Sequence, residues 1–244
     1  MTLKTTARSA RRFMERVLRF GPDDLRRTTP LHPAYGYHRG TPADRHYIDR
    51  FLAAESALVR GDAIEIAEDR YISRIGGARL TSATTFQLSE PGPGRLVGDL
   101  TKPESLPENA YDCFVCTQTL NVIYDVQTAI AGCHRLLKPG GTLLLAVAGT
   151  THVSRYDADR WGDYWRFTPQ SVAKLLAPTF GTNVRISAYG NVLAATAMLH
   201  GIVCEELTPA ELDVIDSDYP VTVCAVATKA VNGQTGSEKA RTSA

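Results

Sequence analysis

The densest run of reactive side chains lies between residues 151 and 168, where His152, Asp157, Asp159 and Asp163 alternate with Tyr156, Tyr164 and Trp165. A histidine titrates near neutral pH and is a natural proton acceptor. A carboxylate within hydrogen-bond reach of a hydroxyl or amine can do the same work. His152, Asp157 and Asp163 are therefore the candidate general bases. Tyr156, Tyr164 and Trp165 offer ring faces for a cation or a substrate ring. The three aspartates could also ligate a hard cation. No second carboxylate group stands at a supporting spacing, so no metal is expected. The Trp161-to-Phe167 stretch reads equally as a packed lid or an oligomer surface.

A second group sits in the loop from 28 to 42, where His32 and His38 flank Tyr35-Gly36-Tyr37. His32, Tyr37 and His38 are candidate substrate contacts, or else structural. Cys113 and Cys116 form one C-x-x-C inside an apolar run, without a second pair to complete a zinc site. All five cysteines read as small buried hydrophobes, which suits a reducing cytoplasm.

These residues need a scaffold. The chain has 244 residues, 43 % hydrophobic and 22 % charged, ordinary for a soluble globular domain. No apolar run is long enough to span a bilayer, and no secretory h-region opens the sequence. Residues 1–27 carry eight basic against three acidic side chains within a net charge of +1. That surplus is an arm for an anionic partner or a solvated helix face docked by Phe13, Val17 and Leu18. With no interleaved aromatics or nucleic-acid motif, no nucleic-acid partner is expected.

Apolar spacing predicts helices over 8–20 and 44–58, then strands over 63–67, 81–88, 95–98 and 111–117. A helix over 126–137 stops at Lys138-Pro139-Gly140-Gly141, and a buried strand follows over 142–148. A helix over 169–176 and strands over 184–188 and 221–228 close the pattern. The apolar stretch 191–203 reads as core or as a homodimer interface. Such alternation predicts an α/β, doubly wound sheet. The divisions expected are a helical cap and ordered loop over 1–58, the α/β domain over 59–230 and a disordered tail over 231–244.

The segment Arg135-Leu136-Leu137-Lys138-Pro139-Gly140-Gly141-Thr142-Leu143 resembles the helix–turn–strand signature of class I S-adenosylmethionine-dependent methyltransferases. Gly98-Asp99-Leu100 resembles their acidic turn after the third strand, and Asn109 to Leu120 their fourth strand and the loop flanking cofactor. Arg39-Gly40-Thr41-Pro42-Ala43-Asp44-Arg45-His46-Tyr47-Ile48 and Asp159 to Thr168 resemble two segments of one methyltransferase-like subgroup. The resemblance implies a Rossmann-like, mostly parallel seven-stranded sheet, with S-adenosylmethionine as cofactor and S-adenosylhomocysteine as product. It implies a cofactor site from Arg39, Thr41, Arg45, Tyr47, Glu65, Ala67, Thr84, Asp99, Leu100, Thr117 and Gln118. Arg45 or Arg39 would pair with the methionyl carboxylate.

Two departures stand out. Glu65 holds the acidic position of the first motif, but Ala67, Asp69 and Tyr71 replace its glycines. Thr84 or Thr85 stands where an acidic residue would clamp the ribose. The expected function is O- or N-methylation of a small molecule in a specialised or saccharide pathway. The rivals are a cyclase or lyase on the same fold, and a non-catalytic partner protein.

Overall fold

A computed structural model describes residues 26–231; the expected helix over 8–20 and nearly all of the tail lie outside this range. The core is a seven-stranded sheet in the order β3-β2-β1-β4-β5-β7-β6. Its strands are β1 (Gly61–Ile66), β2 (Leu80–Gln87), β3 (Arg95–Val97), β4 (Tyr111–Thr117), β5 (Leu137–Ala148), β6 (Val184–Tyr189) and β7 (Thr222–Thr228). Only β7 runs antiparallel to its neighbours, β5 and β6. The chain lays down β1, β2 and β3 outward, then returns to start β4 on the other side of β1. The strand order thus reverses between β1 and β4, where a doubly wound sheet opens a crevice at its carboxyl edge.

Helices cover both faces: α1 (Ala43–Ala54), α2 (Arg70–Gly76), α3 (Val126–Leu136), α4 (Arg155–Ala158), α5 (Pro169–Phe180), α6 (Val192–His200) and α7 (Pro209–Asp213). β4 shows why its sequence is a continuous apolar run. Phe114 and Cys116 pack with Ile130, Cys133 and Leu176 on one face. Cys113 and Val115 pack with Ile48, Phe51 and Ile72 on the other. A strand buried on both sides has no polar positions to spare. All five cysteines are free and buried, as small hydrophobes should be.

Several boundaries differ from the sequence reading. Lys138 to Gly141 belongs to β5 rather than to a turn before it. Tyr111 pairs with Leu137, the register then shifts, and Gly140 takes φ +81° to absorb the irregularity. Lys138 Nζ lies 2.7 Å from both Asp62 and Asp112, tying β1 to β4 at the sheet's amino edge. The helix over 169–176 continues to Phe180 despite Pro178, because Phe180 is itself anchored in the core. Residues 44–58 end their α-helix at Ala54, and Ser56–Leu58 form a 3-10 turn. The stretch 191–203 is mainly core: Asn191 caps α6, whose Ala194, Ala195, Ala197 and Met198 are buried. α1 is not a separate cap, since Ile48, Phe51 and Leu52 pack into the sheet's own core. No helix among the described residues is long and apolar enough to cross a membrane.

Candidate functional site at the strand tips

Two residues border the crevice where the strand order reverses. Ala67 follows β1 with φ +65°, and Gln118 follows β4 with φ +49°. A side chain held in this left-handed region stores roughly 1–3 kcal/mol of strain. Neighbouring strands hold both turns. The Ala67 amide donates to the Phe86 carbonyl at 2.9 Å, and the Gln118 amide to the Ala146 carbonyl at 2.8 Å. The Gln87 side-chain amide donates to the Ala67 carbonyl. Ala67 thus adopts a backbone shape that glycine would take without strain.

Glu65 does structural work here. Its Oε2 accepts from the Tyr71 and Ile72 amides, both at 2.8 Å, capping α2. Burial outweighs those bonds and pushes its carboxyl up to about 7. Ala67 to Arg70 are exposed, while Tyr71 turns down into the core with Ile48, Phe51 and Ile72. Of the side chains that replace the glycines, Tyr71 is committed to the core, while Ala67 and Asp69 are solvent-exposed.

Thr84 does not sit at the tip of β2. It pairs with Ile64 inside the sheet, and its side chain hydrogen-bonds Tyr111. Gln87 holds the strand's end, opposite Val97 of β3. One turn on, Asp99 Oδ1 accepts from the Thr101 amide at 2.9 Å and its hydroxyl at 2.7 Å. The Thr101 hydroxyl, helped by the Thr101 amide and by Lys102, holds the Asp99 carboxyl below the usual range against a smaller effect of burial. Leu100 beside it is buried against α3, where a Cβ on Gly132 would lie 2.3 Å from the Leu100 carbonyl oxygen.

Over the tips of β4 and β5 lies a cavity of about 420 Å³. Asp44 and Arg45 of α1, Gln118 and Asn121 beyond β4, and Thr151, Asp157 and Arg166 beyond β5 supply its polar wall. Tyr35, Tyr37 and Tyr156 supply aromatic surface. Four buried polar atoms of this wall have no hydrogen-bond partner: Asp44 Oδ1, Gln118 Oε1, Asn121 Oδ1 and Thr151 Oγ1. Buried polar groups are nearly always paired, so four orphans around one cavity make it the candidate site. Burial pushes the Asp44 carboxyl up, against Arg45 and the Gln118 amide.

The base candidates separate here. Asp163 is locked: Arg166 bonds both its oxygens at 2.7 Å, and the Ser154 amide donates to Oδ2 at 2.8 Å. Burial raises the Asp163 carboxyl, but Arg166 and Ser154 together hold it below its ordinary range. It positions the loop and does not take protons at neutral pH. His152 does not line the cavity; it stacks behind Tyr35 with ring centroids 4.0 Å apart, and its Nδ1 lies 2.9 Å from the Val153 carbonyl. The Asp157 carboxylate lines the cavity and makes no hydrogen bond among the described residues.

The remaining expected residues scatter. Arg39 pairs with Glu206 at 2.9 Å, and Thr41 donates its amide and hydroxyl to Glu205, so both anchor the amino-terminal loop rather than a ligand. Arg45 Nε donates to the Tyr37 hydroxyl at 2.8 Å, at the cavity wall. Tyr47 is fully buried and donates its hydroxyl to the Leu212 carbonyl. His32 and His38 pack edge to face with each other and lie off the cavity. Tyr164 and Trp165 gather with Tyr124 in an aromatic cluster off the cavity, while Tyr156 lies under the Arg160 guanidinium at 3.7 Å. Thr117 ends β4, its carbonyl accepting from the Thr119 hydroxyl.

Sequence reasoning missed Tyr35, Asp44, Asn121, Thr151 and Arg166 as site residues. Their only signal was position, in loops after strands or at the first turn of α1. Tyr35 lies in a run of three left-handed residues, Ala34, Tyr35 and Gly36. A Cβ on Gly36 would fall 2.2 Å from the Gly201 carbonyl oxygen, so glycine lets this loop seat on the end of α6.

Residues 72–145 match the family model of the methyltransferase domain. Solved structures share the fold. An S-adenosylmethionine-dependent methyltransferase of Archaeoglobus fulgidus is 11 % identical, with a TM-score of 0.50, covering 76 % of this chain and 94 % of its own. The chain therefore has the class I methyltransferase fold, with a methyltransferase-domain match over residues 72–145. The methyltransferase-like sheet also resembles that of an S-adenosylmethionine-dependent methyltransferase of Thermotoga maritima, at 15 % identity and TM-score 0.51, with coverage of 79 % and 94 %. It resembles the (4+2)-cyclase SpnF at 17 % identity and TM-score 0.51, with coverage of 79 % and 85 %. No curated protein matches the sequence. The family match begins at Ile72, past the Glu65-to-Tyr71 turn where the methyltransferase-like chain lacks its glycines.

Proposed function

We propose that the protein is an S-adenosylmethionine-dependent methyltransferase whose small-molecule acceptor binds in the cavity over β4 and β5. The observation that carries this is the four orphaned polar atoms beside the strand-order reversal. Ala67, Gln87, Asp99, Leu100 and Thr117 edge the crevice where the cofactor's adenosyl half would lie. The fit favours that group: the Ala67 turn keeps a glycine-like shape, and among the described residues Asp99 Oδ2 meets only the exposed Lys102 ammonium, at 3.5 Å. Gln87 has one acceptor left for the ribose, since its amide nitrogen is engaged with Ala67. When bound, the cofactor supplies an electrophilic methyl on sulfonium.

The chain's own work is alignment, water exclusion and proton removal. Tyr35, Tyr37 and Tyr156 narrow the cavity. Asp157 is the carboxylate placed to accept the acceptor's proton as its oxygen or nitrogen is alkylated. Asp163 and Arg166 keep the loop that carries Asp157 in place. Asp157→Asn should lower kcat by roughly a hundredfold and leave S-adenosylhomocysteine affinity unchanged.

Calorimetry of the full chain with S-adenosylmethionine and S-adenosylhomocysteine tests the reading. Binding of either is expected; failure of both at near-saturating ligand would remove it. One observation favours a second reading. Gln87 weakens the ribose contact, which suits an enzyme of this fold that uses the cleft without methyl transfer. A product that does not gain the mass of a methylene would mark that case.

A further inference from the structure

Three of the cavity's four unmet atoms are acceptors only; the fourth, Thr151 Oγ1, can also donate. Asp44 Oδ1, Gln118 Oε1 and Asn121 Oδ1 are acceptors without donors, and Asp44 and Asn121 are only 7 % and 6 % exposed. The orientation of the Gln118 amide is set by its partner: Nε2 donates to Asp44 Oδ2 at 3.0 Å, which turns Oε1 away from that bond. Several donors of the wall are already engaged. Arg45 Nε serves the Tyr37 hydroxyl, and Arg166 serves Asp163 and the Thr151, His152 and Trp165 carbonyls. Three carboxylates, Asp44, Asp157 and Asp163, face two guanidiniums, leaving one net negative charge.

An ammonium group carries three donors and no acceptor. A hydroxyl brings one donor for three waiting acceptors, and a carboxylate or phosphate adds negative charge to a wall that already carries a surplus. Tyrosine faces also favour a cation. We infer that the acceptor substrate anchors in this cavity through a protonated amine, with Asp44 as its counter-charge and Gln118 and Asn121 as further acceptors. This rests on the cavity being the acceptor site of a methyltransferase. The anchored nitrogen keeps its proton, has no lone pair to alkylate, and is therefore not the atom methylated.

The test uses the full chain and matched probes: tyramine, tyrosol and 4-hydroxyphenylacetate, and butylamine, butanol and butyrate. Each is titrated with and without S-adenosylhomocysteine. In at least one set the amine should bind roughly tenfold tighter than its alcohol, with the acid weakest. Asp44→Asn should erase that preference while S-adenosylhomocysteine affinity holds. Gln118→Leu, which leaves Asp44 charged, should reduce the preference without erasing it, and serves alone if the first variant does not fold. An alcohol that equals its amine in both sets overturns the inference, as does no binding by either amine. Loss of S-adenosylhomocysteine binding in Asp44→Asn also overturns it, because the corner would then hold the cofactor's own ammonium. An amine preference in a protein that binds no S-adenosylhomocysteine would sink the methyl-transfer reading alone.

Discussion

The two sides of the strand-order reversal treat their polar groups in opposite ways. Around β1, β2 and β3, Glu65 caps α2, Gln87 braces Ala67 and Asp99 closes its own turn. Around β4 and β5, Asp44, Gln118, Asn121 and Thr151 each keep a buried atom unpartnered. The first side uses side chains to hold a backbone shape that glycine would otherwise supply. The second keeps side-chain atoms for a ligand, and relies on the Asp163–Arg166 pair for its rigidity. Holding the backbone and leaving polar atoms unpartnered thus fall to different strands.

Breaking the rigid element of the second side should have the largest effect. Arg166→Ala strands the Asp163 carboxylate, which is 1 % exposed. The expected loss is about 3 kcal/mol in urea unfolding, since removing one partner of a buried pair leaves an uncompensated charge. On the first side, Glu65 is raised from 4.5 to about 7 by burial. A raised carboxyl binds its proton more tightly in the folded state. Its contribution is complete below about pH 4.5 and is lost as pH climbs toward 7. Glu65→Gln keeps an acceptor for the α2 amides and has no proton to release. Its stability should therefore fall less steeply than the parent's in that window, by up to about 1.4 kcal/mol per pH unit, read from urea melts across pH.

Smaller changes sharpen the contrast. Gln87→Glu gives the β2 tip an ionised acceptor, which bonds hydroxyls about twice as strongly as a neutral one, but removes the donor that braces the Ala67 carbonyl. These effects oppose each other, so S-adenosylhomocysteine affinity should change by less than about fivefold in calorimetry. Ala67→Gly relieves the left-handed strain but loosens the unfolded chain. The two effects oppose, so stability should change by less than about 1 kcal/mol.

Much of the fold was legible because apolar periodicity is local. β4 and the second half of β5 announce themselves as apolar runs. The Lys138-to-Gly141 turn misled, because a register shift and a Lys138 bridge to Asp62 and Asp112 turn it into strand. Thr84 misled for a related reason: which residue ends a strand depends on where its partners end, and β1 and β3 put Gln87 there.

The candidate site was legible only by neighbourhood. Gln118 and Arg45, expected at the cofactor, line one cavity with Tyr37 and Tyr156, expected at the substrate, and Asp157 and Asp163, expected as bases. Arg39, Thr41, Tyr47 and Glu65 carry equally suggestive side chains, yet each is committed to a structural bond.

The amino-acid sequence alone determined the alternation of strands and helices, the two-faced burial of the central strands and the family signature after α3. Each follows from the order of apolar and turn-forming residues along a short stretch. Tertiary structure decided which polar groups are used up and which remain for a ligand. Gln118 meets Asp44 across 74 residues and Thr41 meets Glu205 across 164. A hydrogen bond depends on three-dimensional proximity, and no local pattern encodes partners that far apart.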